Sequence, residues 1–150
     1  MFPTLPVPGG CNCGKVRYLL KQQPLTCYVC HCHLCQKRTG SPFSMTLVLP
    51  DKAVELTEGP VGRADRLLPS GATSSFLSCT ACNSRLWSER TDRPGLGLRA
   101  GTLDDTSWVR PVAQFWLRSA QPWAIVPGIL SYDEQPTDPG PMLAAWKALG

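Results

Sequence analysis

Polar and apolar residues alternate over short stretches of this chain, the period-two signature of strands with one buried face. The alternation is clear in Arg17, Tyr18 and Leu19 and again in Gln114, Phe115 and Trp116. On this pattern the sequence predicts strands over 15–20, 43–49, 53–57, 74–78, 84–88, 97–101 and 113–117. Tyr28 and Val29 read as the end of a further strand that leads into a loop. Helices are predicted only over 33–38 and 141–149, where Pro141 suits a first helical position because the N–H it lacks would have no partner there. The expected fold is mostly β: a single, sandwich-like domain of short antiparallel strands with a short C-terminal helix.

Length and composition support that reading. A chain of 150 residues is enough for one core that buries roughly two thirds of the unfolded surface. The 15 prolines and 13 glycines cut the chain into pieces that suit turns and strands better than long helices. Residues 1–8 read as a flexible lead-in, 9–132 as the domain, and 133–150 as a tail linker, DEQPTDPGP, followed by the short helix.

Charge removes several function classes. The net +4 arises from 15 basic and 11 acidic residues that are scattered along the chain. No basic run forms a nucleic-acid footprint, although anionic small molecules remain compatible partners. The first ten residues lack a basic n-region, and no stretch approaches the ~18 apolar residues of a membrane span. A cytoplasmic protein with no nucleic-acid or membrane partner is expected.

The eight cysteines organise everything else. They fall into three groups: Cys11 and Cys13 in GGCNCGKVRY, then Cys27, Cys30, Cys32 and Cys35 in CYVCHCHLC, then Cys79 and Cys82 in CTACNSRLW. In a closely spaced pair the backbone folds back so that both sulfurs face one metal. A glycine or asparagine after the second cysteine accepts the left-handed conformation of that turn, and Gly14 and Asn83 stand in those places. The outer groups supply two cysteines each, so Cys11, Cys13, Cys79 and Cys82 are assigned to a structural zinc. Disulfides are the alternative, disfavoured by the strain of one-residue spacing and by a reducing compartment.

In the middle group Cys30, Cys32 and Cys35 lie close enough for one loop to wrap a single ion. Three protein ligands leave a fourth position free, which separates a catalytic zinc from a structural one. Cys27 would close that site if it reached the metal; its place at a strand end favours a small buried hydrophobe instead. His31 and His33 alternate with the thiols and are expected to point away from the metal, as neighbouring donors or proton carriers. Lys37, Arg38 and Arg85 are the candidate cations for an anionic substrate, residues 39–43 the turn that covers the metal, and Trp87, Trp116 and Trp123 core residues.

With these motifs the sequence resembles the glutathione-dependent formaldehyde-activating family, which includes the domain of centromere protein V. The resemblance runs from Gly9 to about Trp123 and rests on GGCNCGKVRY, CHCHLCQKRTGSPFS, CTACNSRLW and AGTLDD. It implies a zinc domain with two ions, Cys30, Cys32 and Cys35 holding the catalytic one. The implied activity is that of a carbon–sulfur lyase joining glutathione, or a similar small thiol, to formaldehyde or a related aldehyde. Three thiolates make zinc a weak Lewis acid, so its expected role is to present a substrate thiolate rather than to polarise the aldehyde. Two departures from the family pattern stand out: Cys27 is an extra thiol, and Gln114 occupies a place where relatives are expected to carry histidine. A non-catalytic zinc module and an enzyme of a different thiol adduct are the alternatives.

Overall fold

A computed structural model describes residues 2–150. In chain order its strands are β1 (Val7–Gly10), β2 (Arg17–Leu20), β3 (Thr26–Cys30), β4 (Ser44–Leu49), β5 (Val54–Glu58), β6 (Val61–Leu67), β7 (Thr73–Cys79), β8 (Arg85–Arg90), β9 (Leu96–Arg99), β10 (Ala113–Phe115) and β11 (Leu130–Ser131). Helix α1 (His33–Thr39) follows β3, and α2 (Gly140–Lys147) closes the chain. The architecture is mostly β, in two sheets: a small one ordered β1-β2-β5 and a large one ordered β11-β10-β3-β4-β9-β8-β7-β6. The pairings are antiparallel except at β10, which lies parallel to both β3 and β11. Strictly antiparallel pairing is therefore corrected there, because β10 arrives by a long connection rather than a hairpin.

The core lies between the sheets. Val7, Tyr18 and Leu20 of the small sheet meet Leu47, Leu49, Leu86 and Leu98 of the large one, all nearly inaccessible to water. Tyr18 sets its ring edge-on to Trp87 at 6.0 Å. Its hydroxyl hydrogen-bonds Thr102 Oγ1 at 2.7 Å. Gly9 permits this, since a Cβ there would come within 2.4 Å of the Tyr18 ring.

Period two gives the large sheet two unlike faces. On β4, Leu47 and Leu49 enter the core while Ser44, Thr46 and Val48 face the other way. On β9, Leu98 is core while Gly97 and Arg99 face away. The outer face is thus polar and cationic in its middle, and the site lies on it.

The domain is larger than the sequence suggests. Val7 is buried in β1, an edge strand that tolerates Pro8 because an edge leaves some N–H groups unused. Phe2 stacks on Trp146 at 4.9 Å. Trp146 is buried and its indole N–H donates to the Pro24 carbonyl at 2.8 Å. Residues 2–8 and helix α2 are therefore parts of the domain rather than a loose lead-in and tail; Met1 lies outside the described residues. Residues 133–139, between β11 and α2, carry no strand or helix. Trp87 is core as expected, but Trp123 is 76% exposed and Trp116 is half-buried at the site, both corrections to the core reading.

Candidate metal centres

Two clusters of sulfurs form, each with all ligand atoms within 4.8 Å of one another: Cys11, Cys13, Cys79 and Cys82, and Cys30, Cys32 and Cys35. All eight cysteines are free thiols. In the first cluster Cys11 and Cys13 Sγ are 3.5 Å apart and Cys13 and Cys79 Sγ 3.9 Å. Four sulfurs on a tetrahedral zinc with bonds of about 2.3 Å stand about 3.8 Å apart, so the donor set fits zinc in number, softness and spacing.

Two turns build this cluster. One joins β1 to β2, with Gly14 at φ 76° and its N–H donating to the Cys11 carbonyl. The other joins β7 to β8, with Asn83 at φ 61° and its N–H donating to the Cys79 carbonyl. Backbone amides also point at sulfur, Val16 to Cys11 at 3.2 Å and Ala81 to Cys79 at 3.4 Å, an arrangement that favours thiolates. Ser84 Oγ takes the Asn12 amide at 3.0 Å and lies 3.2 Å from Cys82 Sγ, linking the turns. That Ser84 contact is the leading cause that lowers the Cys82 thiol to about 5.

The second cluster belongs to one continuous stretch. Cys30 ends β3, opposite Ser44 of β4. Cys32 caps α1, its sulfur accepting the Cys35 amide at 3.3 Å, so the helix start holds two sulfurs on one side. Gln36 clamps the loop from behind, donating to the His31 and Ser119 carbonyls at 2.8 and 3.0 Å. Within the cluster, hydrogen bonding from Cys30 holds Cys35 down to about 5, helped by Ser44, Cys32 and the charge of Arg99. The same Cys30–Cys35 contact, with burial, pushes Cys30 well above the ordinary thiol range. A thiolate is therefore available here at neutral pH, which is what a metal requires.

Cys27 is not part of either cluster. It lies three residues before Cys30 on β3, and the strand's alternation turns it into the core with Leu47 while Cys30 faces the outer side. Burial pushes its thiol up to about 12. His31 is also outside the clusters and fully buried, edge-on to Phe43 at 5.3 Å. Its Nε2 lies 3.3 Å from Gln114 Oε1. The Gln114 amide nitrogen already donates to the Val126 carbonyl and Ser131 Oγ, so Nε2 of His31 must be the donor. This leaves His31 Nδ1 buried without a partner. Gln114 thus spends its bonds on holding the 126–131 segment against β10.

A cavity of about 1030 Å³ opens over the outer face of the large sheet, and Cys30, Cys32 and Cys35 are in its wall. Trp116, packed beside the cysteines, also lines it, from a left-handed backbone at φ 61° that follows β10. Of the expected cations, Arg38 lines the cavity, and Arg85 approaches it across the Phe76 ring, at 4.6 Å beside Arg38 at 4.4 Å. Lys37 is exposed and does not line it. Residues 39–43 do not line it either; Phe43 of that turn instead sets its ring edge-on to buried His31. Sequence reasoning missed Arg66 on β6 and Arg99 on β9, together with Ser44 beside Cys35. Their signal was parity: each stands on a strand position whose neighbours two residues away share the outer face.

The model of the glutathione-dependent formaldehyde-activating enzyme family matches residues 6–119. The chain belongs to this family. Its matched segment contains all seven clustered cysteines, so the formaldehyde-activating pattern and the two sulfur clusters coincide. Among curated proteins, none matches the chain. Among solved structures, a Rhodobacter sphaeroides protein, a structural-genomics target, matches with a TM-score of 0.52 at 14% identity, covering 83% of this chain and 98% of that one. At that identity the likeness is one of fold. No helix among the described residues is long and apolar enough to cross a membrane.

Proposed function

We propose that this member of the formaldehyde-activating family is a cytoplasmic zinc-dependent carbon–sulfur lyase that adds a small thiol such as glutathione to formaldehyde or a related aldehyde. The observation that carries the reading is the three-sulfur cluster in the cavity wall, with the only nearby fourth thiol, Cys27, turned to the opposite side of its strand. Cys30, Cys32 and Cys35 would hold the catalytic ion, and Cys11, Cys13, Cys79 and Cys82 the structural one. Zinc held by these three cysteines would lower the pKa of an incoming thiol and so supply a nucleophile at neutral pH.

The chain's own groups do the rest. Arg38 and Arg99 attract an anionic thiol toward the cluster, and the apolar surfaces of Leu34, Phe76 and Trp116 exclude water around it. Carbon–sulfur bond formation converts the aldehyde carbonyl to a hydroxyl, the proton leaving sulfur and ending on oxygen. Reversal of the same steps is the lyase direction.

The test combines zinc content with adduct exchange followed by nuclear magnetic resonance. Two zinc ions per chain and exchange between glutathione and formaldehyde faster than the spontaneous reaction support the proposal. Full zinc content without faster exchange for any thiol and aldehyde pair contradicts it.

A further inference from the structure

The cavity wall holds six arginines, Arg38, Arg66, Arg90, Arg93, Arg99 and Arg118, and among its described residues no aspartate or glutamate. Two of the six are already neutralised, Arg90 by Asp92 and Arg118 by Glu134. Arg38, Arg66, Arg93 and Arg99 have no carboxylate partner among the described residues. Arg85 stands behind them against Phe76, also without a carboxylate. Its Nη1 and the Nε of Arg99 are buried donors without acceptors. Arg99 spends Nη1 on Thr46 Oγ1, a neutral acceptor that leaves the charge unbalanced. Burial first and then the charges of Arg66 and Arg99 depress Arg38, so these guanidiniums sit close enough to repel one another.

Like charges gathered without counter-charges raise the energy of the free protein, and bound anion is what relieves it. The three thiolates offset the charge of a zinc ion and little more. A substrate with one carboxylate would leave most of the positive field unbalanced. An ammonium group would be worse, for the wall offers it no carboxylate and several repelling cations. Glutathione carries such an ammonium group.

We propose that the thiol substrate is a compact polyanion without an ammonium group, its acidic groups held by Arg38, Arg66 and Arg99. This rests on the catalytic reading of the three-cysteine cluster. Guanidinium forks take carboxylate, sulfonate or phosphate oxygens in pairs, so a dianion near the sulfur satisfies the buried donors while its thiol reaches the cluster. Arg66 and Arg99 are then specificity-determining residues, brought from β6 and β9 to one wall.

The experiment is calorimetric titration of the zinc-loaded full chain with thiols of graded charge: mercaptosuccinate, mercaptoethanol, cysteamine and glutathione, with thiol-free succinate as a control. Zinc content is checked after each titration. Mercaptosuccinate should bind at least about tenfold tighter than glutathione and about a hundredfold tighter than mercaptoethanol, with cysteamine weakest. Arg66→Gln should narrow the ratio between mercaptosuccinate and mercaptoethanol about tenfold. Arg66 is half-buried on an edge strand, in none of the ion pairs, so the variant keeps its fold. Arg66→Gln with Arg99→Gln should abolish succinate binding as well. Glutathione binding as tightly as mercaptosuccinate, or an unchanged ratio in Arg66→Gln, overturns the proposal. Mercaptosuccinate that binds as expected yet forms no adduct with any aldehyde supports it while contradicting the lyase reading.

Discussion

The two cysteine clusters use the same ligand and are built in opposite ways. The four-cysteine cluster joins the β1–β2 turn of the small sheet to the β7–β8 turn of the large one, residues far apart in sequence. An ion bound there would fasten one sheet to the other, and its binding energy would be folding energy. The three-cysteine cluster closes within a few residues at the end of β3 and the start of α1, and fastens nothing distant. One cluster is closed and placed at a seam; the other is open and placed on a cavity. On the proposed function, ligand number and chain distance together separate a structural from a chemical site.

The largest effect should come from Cys79→Ser. Cys79 is fully buried, and removing one of four ligands forfeits much of a binding energy of about 10 kcal/mol or more, comparable with the whole stability of a domain. Loss of the folded circular-dichroism signal together with that zinc is expected; a folded variant with a normal melting temperature would break the comparison. Cys32→Ser should do the reverse. Serine still caps α1, so the melting temperature should stay within about 5 °C. One zinc and about a thousandfold of adduct exchange should be lost, about 4 kcal/mol.

Cys27→Ser sharpens the contrast further. Placing a hydroxyl among Leu47 and its neighbours costs about 1–3 kcal/mol of stability, read from denaturant unfolding, with both zinc ions retained. The metal-free protein should also show a pH dependence. Cys35 is held near 5 instead of the ordinary 9.0, so its charged form favours the folded state fully above pH 9, and this contribution is lost as pH falls toward 5. Cys30 is raised and stays protonated in both states below 9, so it adds nothing in that window. Iodoacetamide should accordingly label Cys35 down to about pH 5 and leave buried Cys27 unlabelled, while denaturant unfolding shows stability rising with pH between 5 and 9.

Much of this was legible in the chain. The cysteine groups, with Gly14 and Asn83 behind them, announced turns whose sulfurs gather into clusters that could hold metal ions, and seven strands followed from period two. What stayed hidden has physical causes. β6 carries Arg63, Asp65 and Arg66 and was not among the predicted strands, yet β7 pairs it along its whole length, and its charges suit an edge. Val7 and Pro8 of β1 read as proline-rich lead-in because local propensity carries no trace of the partner strand that buries Val7. The arginine wall escaped for the same reason: Arg38, Arg66 and Arg99 are distant in sequence and meet only through sheet order. Trp123 misled because size suggests burial, whereas it stands on an exposed turn.

Cobalt(II) substitution, followed by thiol titration, tests the central contrast most directly. Sulfur-to-cobalt charge-transfer absorption counts thiolates on each ion without reference to turnover. The account predicts two bound cobalt ions, one spectrum unchanged by added thiol and the other gaining the intensity of a fourth thiolate. Two ions whose spectra both ignore the thiol would mean that the second cluster is closed.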